Sequence, residues 1–325
     1  MKTLITGSTG FIGRHLAQVL LKQDREVRLL LRRERDGEEW KRLGAEIVLG
    51  DLHDRKSLRK AAQNVRIVYH LAGEVYAKRC TDFFRTNVEG TRNLFEAFLS
   101  EQIEKIVHLS SIAASGPNPS RETLLTEEMP CRPITMYGKS KYEGEQVAVR
   151  YASAYGLPVV SIRPPTVYGP GQSEVLDRFF KNIYQKKIVI VGEGDRLRSL
   201  CYIDNLIQGL LLAEQKREAA GKTYFISDEK VYTFKEILKT IAAEEGVEFN
   251  EKHVGAWVGH LSLAAFKALE KFNVSIMPLY TVGTTVIDLG SDISKAKREL
   301  GYNPHISLQE GVGRTFRSLS SYLTS

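Results

Sequence analysis

Short apolar runs alternate with amphipathic segments of mixed charge through the first third of the chain. Five runs have the length and side chains typical of buried strands: Thr3–Thr6, Glu26–Leu31, Glu46–Leu49, Ile67–Leu71 and Lys105–Ser110. Each run is followed by a segment of helical spacing or mixed charge. Repeated strand-helix units place parallel strands side by side with helices on both faces. The pattern therefore predicts an α/β fold built on a doubly wound parallel sheet.

The second half of the chain is less regular. A polar loop over 111–133 precedes a long predicted helix, Tyr137–Tyr155, which Gly156 and Pro158 end. Further strands are predicted at Val159–Arg163, Ile188–Val191 and Thr223–Ile226, and further helices at Val175–Lys186, Asp204–Lys216 and Phe234–Glu245. We expect a core of residues 1–165 and a smaller substrate lobe of residues 166–325, with a segment at about 188–226 returning to the core.

An apolar stretch, Val254–Phe272, has near-helical spacing, with Trp257, Leu261 and Phe266 among its large side chains. One interpretation is a helix that packs a single face into the core. The other is a lid over an apolar substrate or a helix that contacts a membrane surface.

Composition narrows the functional classes. The 325 residues carry 46 Lys and Arg against 39 Asp and Glu, a net charge of +7 with the signs mixed along the chain. That pattern favours a solvated surface over a nucleic-acid footprint. The cysteines, Cys80, Cys131 and Cys201, are few and widely spaced, which predicts a reducing cytoplasmic location and no metal site. Met1 leads directly into the first strand, and no apolar run is long enough to span a membrane.

The stretch 6–13, TGSTGFIG, joins the first predicted strand to a helical pattern. Gly7 permits a sharp turn, Gly10 lets a phosphate approach the backbone, and Gly13 allows close packing of helix and strand. The N–H groups and partial positive charge at the helix N-terminus then favour an anion. The sequence predicts a dinucleotide pyrophosphate at this turn.

A second motif carries acid/base chemistry. Tyr137 and Lys141 lie four residues apart, on one face of the long predicted helix. A nearby cation favours the phenolate and lowers the pKa of a tyrosine. Such a tyrosine exchanges a proton with an alcohol or carbonyl while hydride moves between substrate and nicotinamide.

These motifs, in this order, resemble the extended short-chain dehydrogenase/reductase family within the NAD-dependent epimerase/dehydratase superfamily, and the resemblance covers nearly the whole chain. TGSTGFIG is similar to the TGxxGxxG of the family. The other matching segments are Asp51-Leu52, His70–Gly73, Thr86–Thr91 with Asn87, Leu109–Ser111, Arg163–Gly171 and Ser291–Tyr302.

The resemblance implies a Rossmann fold that binds NADP or NAD. Tyr137 would be the general acid/base, Lys141 would hold the nicotinamide ribose and lower the pKa of Tyr137, and Ser111 would bind the substrate oxygen. Arg198 sits where nucleotide-sugar enzymes of the family hold a diphosphate, although a structural arginine is equally expected there. The implied cofactor contacts are Gly7, Thr9, Gly10, Phe11, Ile12, Gly13, Arg32, Asp51, Leu52, Leu71, Ala72, Gly73, Asn87, Tyr137, Lys141, Pro164 and Val167.

Three functions follow from these motifs. The first is an NAD(P)-dependent oxidoreductase that interconverts a secondary alcohol and a ketone. The second is a nucleotide-sugar epimerase or dehydratase that retains its cofactor. The third is a cofactor-sensing binding protein without chemistry, which the set of Ser111, Tyr137 and Lys141 argues against. The apolar 254–280 stretch is more similar to the branch of 3β-hydroxysteroid dehydrogenases and dihydroflavonol reductases, and it favours the first function.

Cofactor preference depends on the end of the second strand, where NAD-preferring members carry an acidic residue. That position is Leu31 here, and Arg32 follows it. An arginine there suits the 2′-phosphate of NADP, whereas the alternative is a solvated basic turn. The resemblance also implies a homodimer, in which the helix of about 81–99 and the Tyr137 helix pair with their copies.

Overall fold

The computed structural model describes residues 1–323 and places seven parallel strands in one sheet. The strands are β1 (Thr3–Thr6), β2 (Val27–Leu31), β3 (Glu46–Leu49), β4 (Ile67–His70), β5 (Lys105–Leu109), β6 (Val159–Arg163) and β11 (Thr223–Phe225). Their order across the sheet is β3-β2-β1-β4-β5-β6-β11. The order reverses between β1 and β4, so a crevice opens at the carboxyl ends of these two strands. The predicted doubly wound parallel sheet is confirmed.

Helices cover both faces of the sheet. Those of the first half are α1 (Phe11–Lys22), α2 (Glu38–Arg42), α3 (Arg55–Ala62), α4 (Cys80–Phe84), α5 (Thr91–Phe98) and α6 (Met136–Tyr155). Those of the second half are α7 (Glu174–Tyr184), α8 (Ile203–Gln215), α9 (Phe234–Glu244), α10 (Trp257–Glu270), α11 (Met277–Thr284), α12 (Ser294–Leu300) and α13 (Leu308–Leu323).

Two apolar cores lie on opposite faces of the sheet. Ile5 and Leu29 belong to one core, whereas their neighbours Leu4 and Leu30 belong to the other. Successive side chains of a strand point to opposite faces, so a sheet covered on both sides is buried throughout. This explains why the strands of the sequence are continuous apolar runs rather than alternating ones.

The C-terminal half adds three small strand pairs beside the sheet. They join β7 (Thr166–Tyr168) with β10 (Leu200–Tyr202), β9 (Leu197–Arg198) with β12 (Tyr232–Thr233), and β8 (Ile190–Val191) with β13 (His253–Val254). Strand β11, from the same half, joins the main sheet beside β6. The division of the chain at residue 165 stays a prediction.

Two regions differ in detail from the sequence-based expectation. The helix expected over about 81–99 is interrupted by a π-helical turn, Arg85–Gly90, between α4 and α5. The apolar stretch forms α10, which buries Phe266 but leaves Trp257 and Leu261 exposed. Within residues 1–323, no helix is long and apolar enough to cross a membrane.

Candidate active site

The glycine turn between β1 and α1 has the tight geometry that its sequence indicates. Gly7 adopts a φ of +78°, and a Cβ on it would lie 2.6 Å from the Ala72 nitrogen. A Cβ on Gly13 would lie 2.2 Å from the Gly7 carbonyl oxygen, so α1 packs directly on the turn. Gly10 precedes α1 and offers no side-chain cap, which leaves the first N–H groups of the helix available to an anion.

A groove of about 880 Å³ runs from this turn along the carboxyl edge of the sheet. The predicted cofactor contacts that line it are Gly7, Thr9, Gly10, Arg32, Asp51, Leu52, Leu71, Ala72 and Gly73. An extended groove, a close-packed glycine turn and an uncapped helix N-terminus fit a dinucleotide. Phe11, Ile12 and Gly13 lie in the first turn of α1, behind the groove lining.

The two serines after β5 have different partners. Ser110 is buried and donates a hydrogen bond to Glu145, which also pairs with Arg163 at 2.6 Å. Ser111 is partly exposed, begins a short 3₁₀ turn and accepts a hydrogen bond from the Ala113 N–H. Ser110 is therefore committed to a buried ion pair, whereas Ser111 is available to a ligand.

Tyr137 lies in the first turn of α6, and its phenol lies close enough to the Ser111 hydroxyl for that group to affect its pKa. Its ring meets Phe83 edge-on, with 5.7 Å between the ring centroids. Burial raises the pKa of Tyr137, and the nearby Ser111 hydroxyl opposes this shift only in part. The direction is opposite to the lowering expected from Lys141, because loss of water disfavours the phenolate more than its neighbours favour it.

Lys141 is buried one helical turn further along α6. Its ammonium donates to the Leu109 carbonyl at 2.9 Å. Burial lowers the pKa of Lys141 to about 8, while the carboxylate of Glu145 acts in the opposite direction. A Cβ on Gly73 would lie 2.9 Å from the ammonium nitrogen, so the segment after β4 approaches Lys141 closely.

Asn87 lies in the π-helical turn and connects the segment after β4 with α6. Its side-chain oxygen accepts from the Glu74 N–H at 2.8 Å, and its amide donates to Ser140 at 2.9 Å. Because Ser140 lies between Tyr137 and Lys141, this bridge holds α6 against the loop that follows β4. A π-turn is a recurrent feature of functional sites, but no sequence pattern indicated it here.

Arg198 is held by backbone carbonyls of the chain itself. Its guanidinium donates to the carbonyls of Leu197, at 2.8 Å, and of Thr284 and Ile287. Thr284 is the last residue of α11, so Arg198 fixes the end of that helix. Burial lowers the pKa of Arg198 to about 10.

Pro164 and Val167 follow β6. The Pro164 carbonyl accepts from the Ile112 N–H at 2.9 Å, and Val167 pairs with Cys201 between β7 and β10. Neither belongs to the lining of the 880 Å³ groove.

No sequence pattern predicted that three aromatic side chains would lie near Tyr137. Besides Phe83, Tyr76 and Tyr280 both act electrostatically on the Tyr137 phenol. Tyr280 stands in α11 and its ring packs on Phe266 of α10. Tyr280 lies within the apolar stretch 254–280, and that stretch was the one sequence feature that could have pointed to it. Tyr76 lies in a loop whose path the sequence did not indicate.

Comparison with known proteins identifies the class. The family model described as the NAD dependent epimerase/dehydratase family matches residues 3–227. The chain belongs to this family, as an extended short-chain dehydrogenase/reductase.

Similar proteins include reductases and an epimerase. A 4-hydroxy-2-methyl-3-oxo-4-farnesyl-3,4-dihydroquinoline-1-oxide ketoreductase from Stigmatella aurantiaca is 29% identical, over 96% of this chain and 95% of the relative. A 2-alkyl-3-oxoalkanoate reductase from Shewanella oneidensis is also 29% identical, over 97% of this chain and 85% of the relative. The UDP-glucuronic acid 4-epimerase of Bacillus cereus, solved with UDP-glucuronic acid and NAD, shares the fold with a TM-score of 0.79 at 24% identity, over 99% of this chain and 100% of that structure.

Proposed function

We propose that this chain is an NADP(H)-dependent reductase that interconverts a ketone and a secondary alcohol on a largely apolar substrate. The observation that carries the proposal is the environment of Tyr137, whose phenol lies near Ser111 and whose ring packs on Phe83. Burial raises the pKa of Tyr137. A tyrosine that stays protonated at neutral pH is suited to donate a proton, which is the step that ketone reduction requires.

Ser111, Tyr137 and Lys141 each have a separate role in the proposed reaction. Ser111 donates a hydrogen bond to the carbonyl oxygen and orients it toward Tyr137. A nicotinamide cofactor, when bound in the groove, would supply the hydride that the carbonyl carbon accepts. Tyr137 transfers its phenolic proton to the oxygen, which yields the alcohol, and the positive charge of Lys141 stabilises the phenolate that remains.

The hydrogen bonds of the Arg198 guanidinium favour an apolar substrate over a nucleotide sugar. Three of its hydrogen bonds go to carbonyls of the chain, one of them at the end of α11. To bind a diphosphate, its guanidinium would have to leave these carbonyls unsatisfied, which costs free energy in a buried position. The ketoreductase from Stigmatella and the oxoalkanoate reductase from Shewanella are named for substrates with farnesyl and alkyl groups, which supports the same class here.

The choice of NADP rests on Arg32. Its side chain is exposed in the groove lining and makes no ion pair among the described residues, whereas Arg33 pairs with Asp36 at 2.9 Å. An unpaired guanidinium at the end of β2 is available to a 2′-phosphate.

Cofactor consumption tests the proposed reaction. Purified protein is incubated with NADPH and a panel of 2-alkyl-3-oxoacids and cyclic ketones, and in parallel with UDP-glucose and UDP-glucuronic acid. We expect stoichiometric NADPH oxidation with at least one ketone. Conversion of a UDP-sugar without net change in the cofactor would instead establish the epimerase alternative. The absence of turnover with either class, alongside tight NADPH binding, would favour the binding protein.

A further inference from the structure

Helix α10 carries apolar side chains on two faces. One face is buried in the protein and includes Gly259 and Phe266. On the other face, exposed residues at intervals of three or four form what we call the exposed stripe, which consists of Trp257, Leu261, Ala264 and Ala268 and continues to Phe272, two residues beyond the end of the helix. Its large members are among the most exposed apolar side chains of the described residues, at 68% for Trp257, 61% for Leu261 and 80% for Phe272. Most surface helices are polar on the face turned to solvent.

The apolar surface continues past the end of α10. Val274 and Ile276 are exposed in the segment before α11. Val274 forms a β-bridge with Arg79, and the Ser275 N–H donates to the Lys78 carbonyl at 2.9 Å. These contacts bring the segment beside the loop of Val75 and Tyr76, which are also exposed. Several large apolar side chains therefore share one region, which marks an interaction surface more strongly than isolated ones do.

Lysines surround this region. Lys252, Lys267 and Lys271 lie before, beside and after the stripe, and Lys78 lies next to Val274 along the β-bridge. Among the described residues, none of the four lies within ion-pair distance of a carboxylate, and the nearby Glu251 is already paired with Lys235 and Lys239. The border of the apolar surface is therefore positively charged and complements an anionic surface.

Hydrogen bonds attach the C-terminal end of α10 to neighbouring helices. Glu270 at the end of α10 is buried and accepts a hydrogen bond from the Met136 N–H of α6 at 2.7 Å. Asn273, just beyond the helix, accepts from the Thr81 N–H at 2.8 Å. These two contacts attach the C-terminal end of α10 and the residue after the stripe to α6 and to α4.

We propose that the exposed stripe of α10 docks the protein on the surface of an anionic lipid bilayer. Trp257, Leu261 and Phe272 enter the boundary between headgroups and acyl chains, as amphipathic interfacial helices do. Trp is favoured at that depth because its ring is apolar and its N–H can still hydrogen-bond. The lysines bind the phosphates, which gives the contact its dependence on lipid charge and salt.

The position of the stripe links docking to the proposed function. Glu270 joins α10 to the first residue of α6, the helix that carries Tyr137. A docked protein would have its active site next to the bilayer, where apolar ketones concentrate. Docking itself is independent of the proposed reaction, because it is measured without substrate or cofactor.

Sedimentation with vesicles tests the docking. The full chain is mixed with vesicles of phosphatidylcholine that contain about one quarter phosphatidylglycerol, and with vesicles of phosphatidylcholine alone. We expect binding to the anionic vesicles, weakened at about 0.5 M salt. Leu261→Gln with Phe272→Gln should lower the partition coefficient at least about tenfold. The matched control is Leu43→Gln with Leu99→Gln, two exposed leucines at 52% and 44% outside this region, and it should bind like wild type.

Fluorescence supplies a second readout, because the chain has two tryptophans and Trp40 is buried. Anionic vesicles should shift the emission to shorter wavelength, and Trp257→Phe should abolish the shift. Three outcomes would overturn the proposal: no binding to anionic vesicles, equal loss in the control pair, or binding without a change in Trp257 emission. A concentration-dependent shift of Trp257 emission without vesicles, lost in Leu261→Gln with Phe272→Gln, would assign the stripe to contact between copies instead.

Discussion

At the scale of single residues, Tyr137 shows that proximity in a motif does not fix electrostatics. Lys141 follows four residues later on the same helix, yet its ammonium is directed to the Leu109 carbonyl. The surroundings of the phenol are Ser111 and aromatic side chains, so burial decides the direction of its pKa. Spacing predicts Tyr137 as a candidate acid/base, whereas its protonation depends on side chains from other parts of the fold.

Replacement of Tyr137 by Phe removes the transferable proton and keeps the ring that packs on Phe83. We expect turnover to fall by about 10²–10⁴, the usual contribution of a general acid, with NADPH affinity nearly unchanged. Steady-state kinetics and a cofactor titration measure the two quantities separately. Wild-type turnover in Tyr137→Phe would show that another group donates the proton.

Arg32 is the residue on which cofactor preference depends. We expect wild type to bind NADPH more tightly than NADH, and Arg32→Ala to lose about 1.5–3 kcal/mol of NADPH affinity through the missing charged hydrogen bond. NADH affinity should change little, because NADH lacks the 2′-phosphate. Titration by fluorescence gives both constants.

Arg35→Ala is the matched control for that experiment. Arg35 lies in the same exposed turn and carries the same charge, but it is not part of the groove lining. If both variants lose NADPH affinity equally, the effect is one of general charge. If neither does, Arg32 has no role in cofactor choice.

At the scale of elements, two side-chain acceptors cap the N-terminus of α6, the helix that carries Tyr137. Thr135 accepts from the Gly138 N–H at 3.1 Å, and Glu270 of α10 accepts from the Met136 N–H at 2.7 Å. Both satisfy backbone donors that a helix leaves free at its first turn. Since Tyr137 belongs to this turn, the caps also determine where its phenol lies.

Glu270→Ala should therefore affect stability and catalysis together. Removal of the acceptor leaves a partly buried N–H without its partner, and we expect a loss of about 1 kcal/mol in the free energy of unfolding and a lower kcat. Glu270→Gln retains an acceptor oxygen and should stay close to wild type in both. Urea unfolding and kinetics measure the effects, and an unchanged Glu270→Ala would show that the cap contributes nothing.

At the scale of the whole molecule, the sequence predicted the features that depend on residues close together in the chain. The buried strands and the TGSTGFIG turn depend on local apolar runs and on glycines, and the structure has them where expected. The π-turn that holds Asn87, the carbonyls around Arg198 and the position of Tyr280 depend on contacts between distant segments. Periodicity carries no information on such contacts, so it could not separate the roles open to Arg198.

The homodimer stays a prediction. In the two helices that would pair, the large apolar side chains Val88, Phe95, Phe98, Val147 and Tyr151 are buried within the chain itself. On α6, Val149 and Tyr155 remain half-exposed and could meet a second copy. Light scattering at micromolar concentration should give twice the mass of the chain, and Val149→Lys should return it to that of a monomer. A monomeric wild type would end the proposal of a dimer.

Stability should fall as the pH rises from about 4 to about 8, because a buried carboxyl at the end of α9 resists ionisation. Burial raises the pKa of Glu245 to about 8, and its Oε2 has no hydrogen-bond partner among the described residues. An unfolded glutamate titrates near pH 4, so the contribution of Glu245 is complete below that pH and is lost as the pH rises to about 8.

Each unit of difference between the folded and unfolded pKa is worth about 1.4 kcal/mol, and partial access of water reduces the free energy that Glu245 costs at high pH. We therefore expect the free energy of unfolding of Glu245→Gln to exceed that of wild type by about 1–2 kcal/mol at pH 9 and by little at pH 4. Glu248→Gln, at an exposed carboxylate three residues on, is the matched control and should show no such difference in urea unfolding. Equal pH profiles for wild type and Glu245→Gln would show that Glu245 ionises freely in the folded protein.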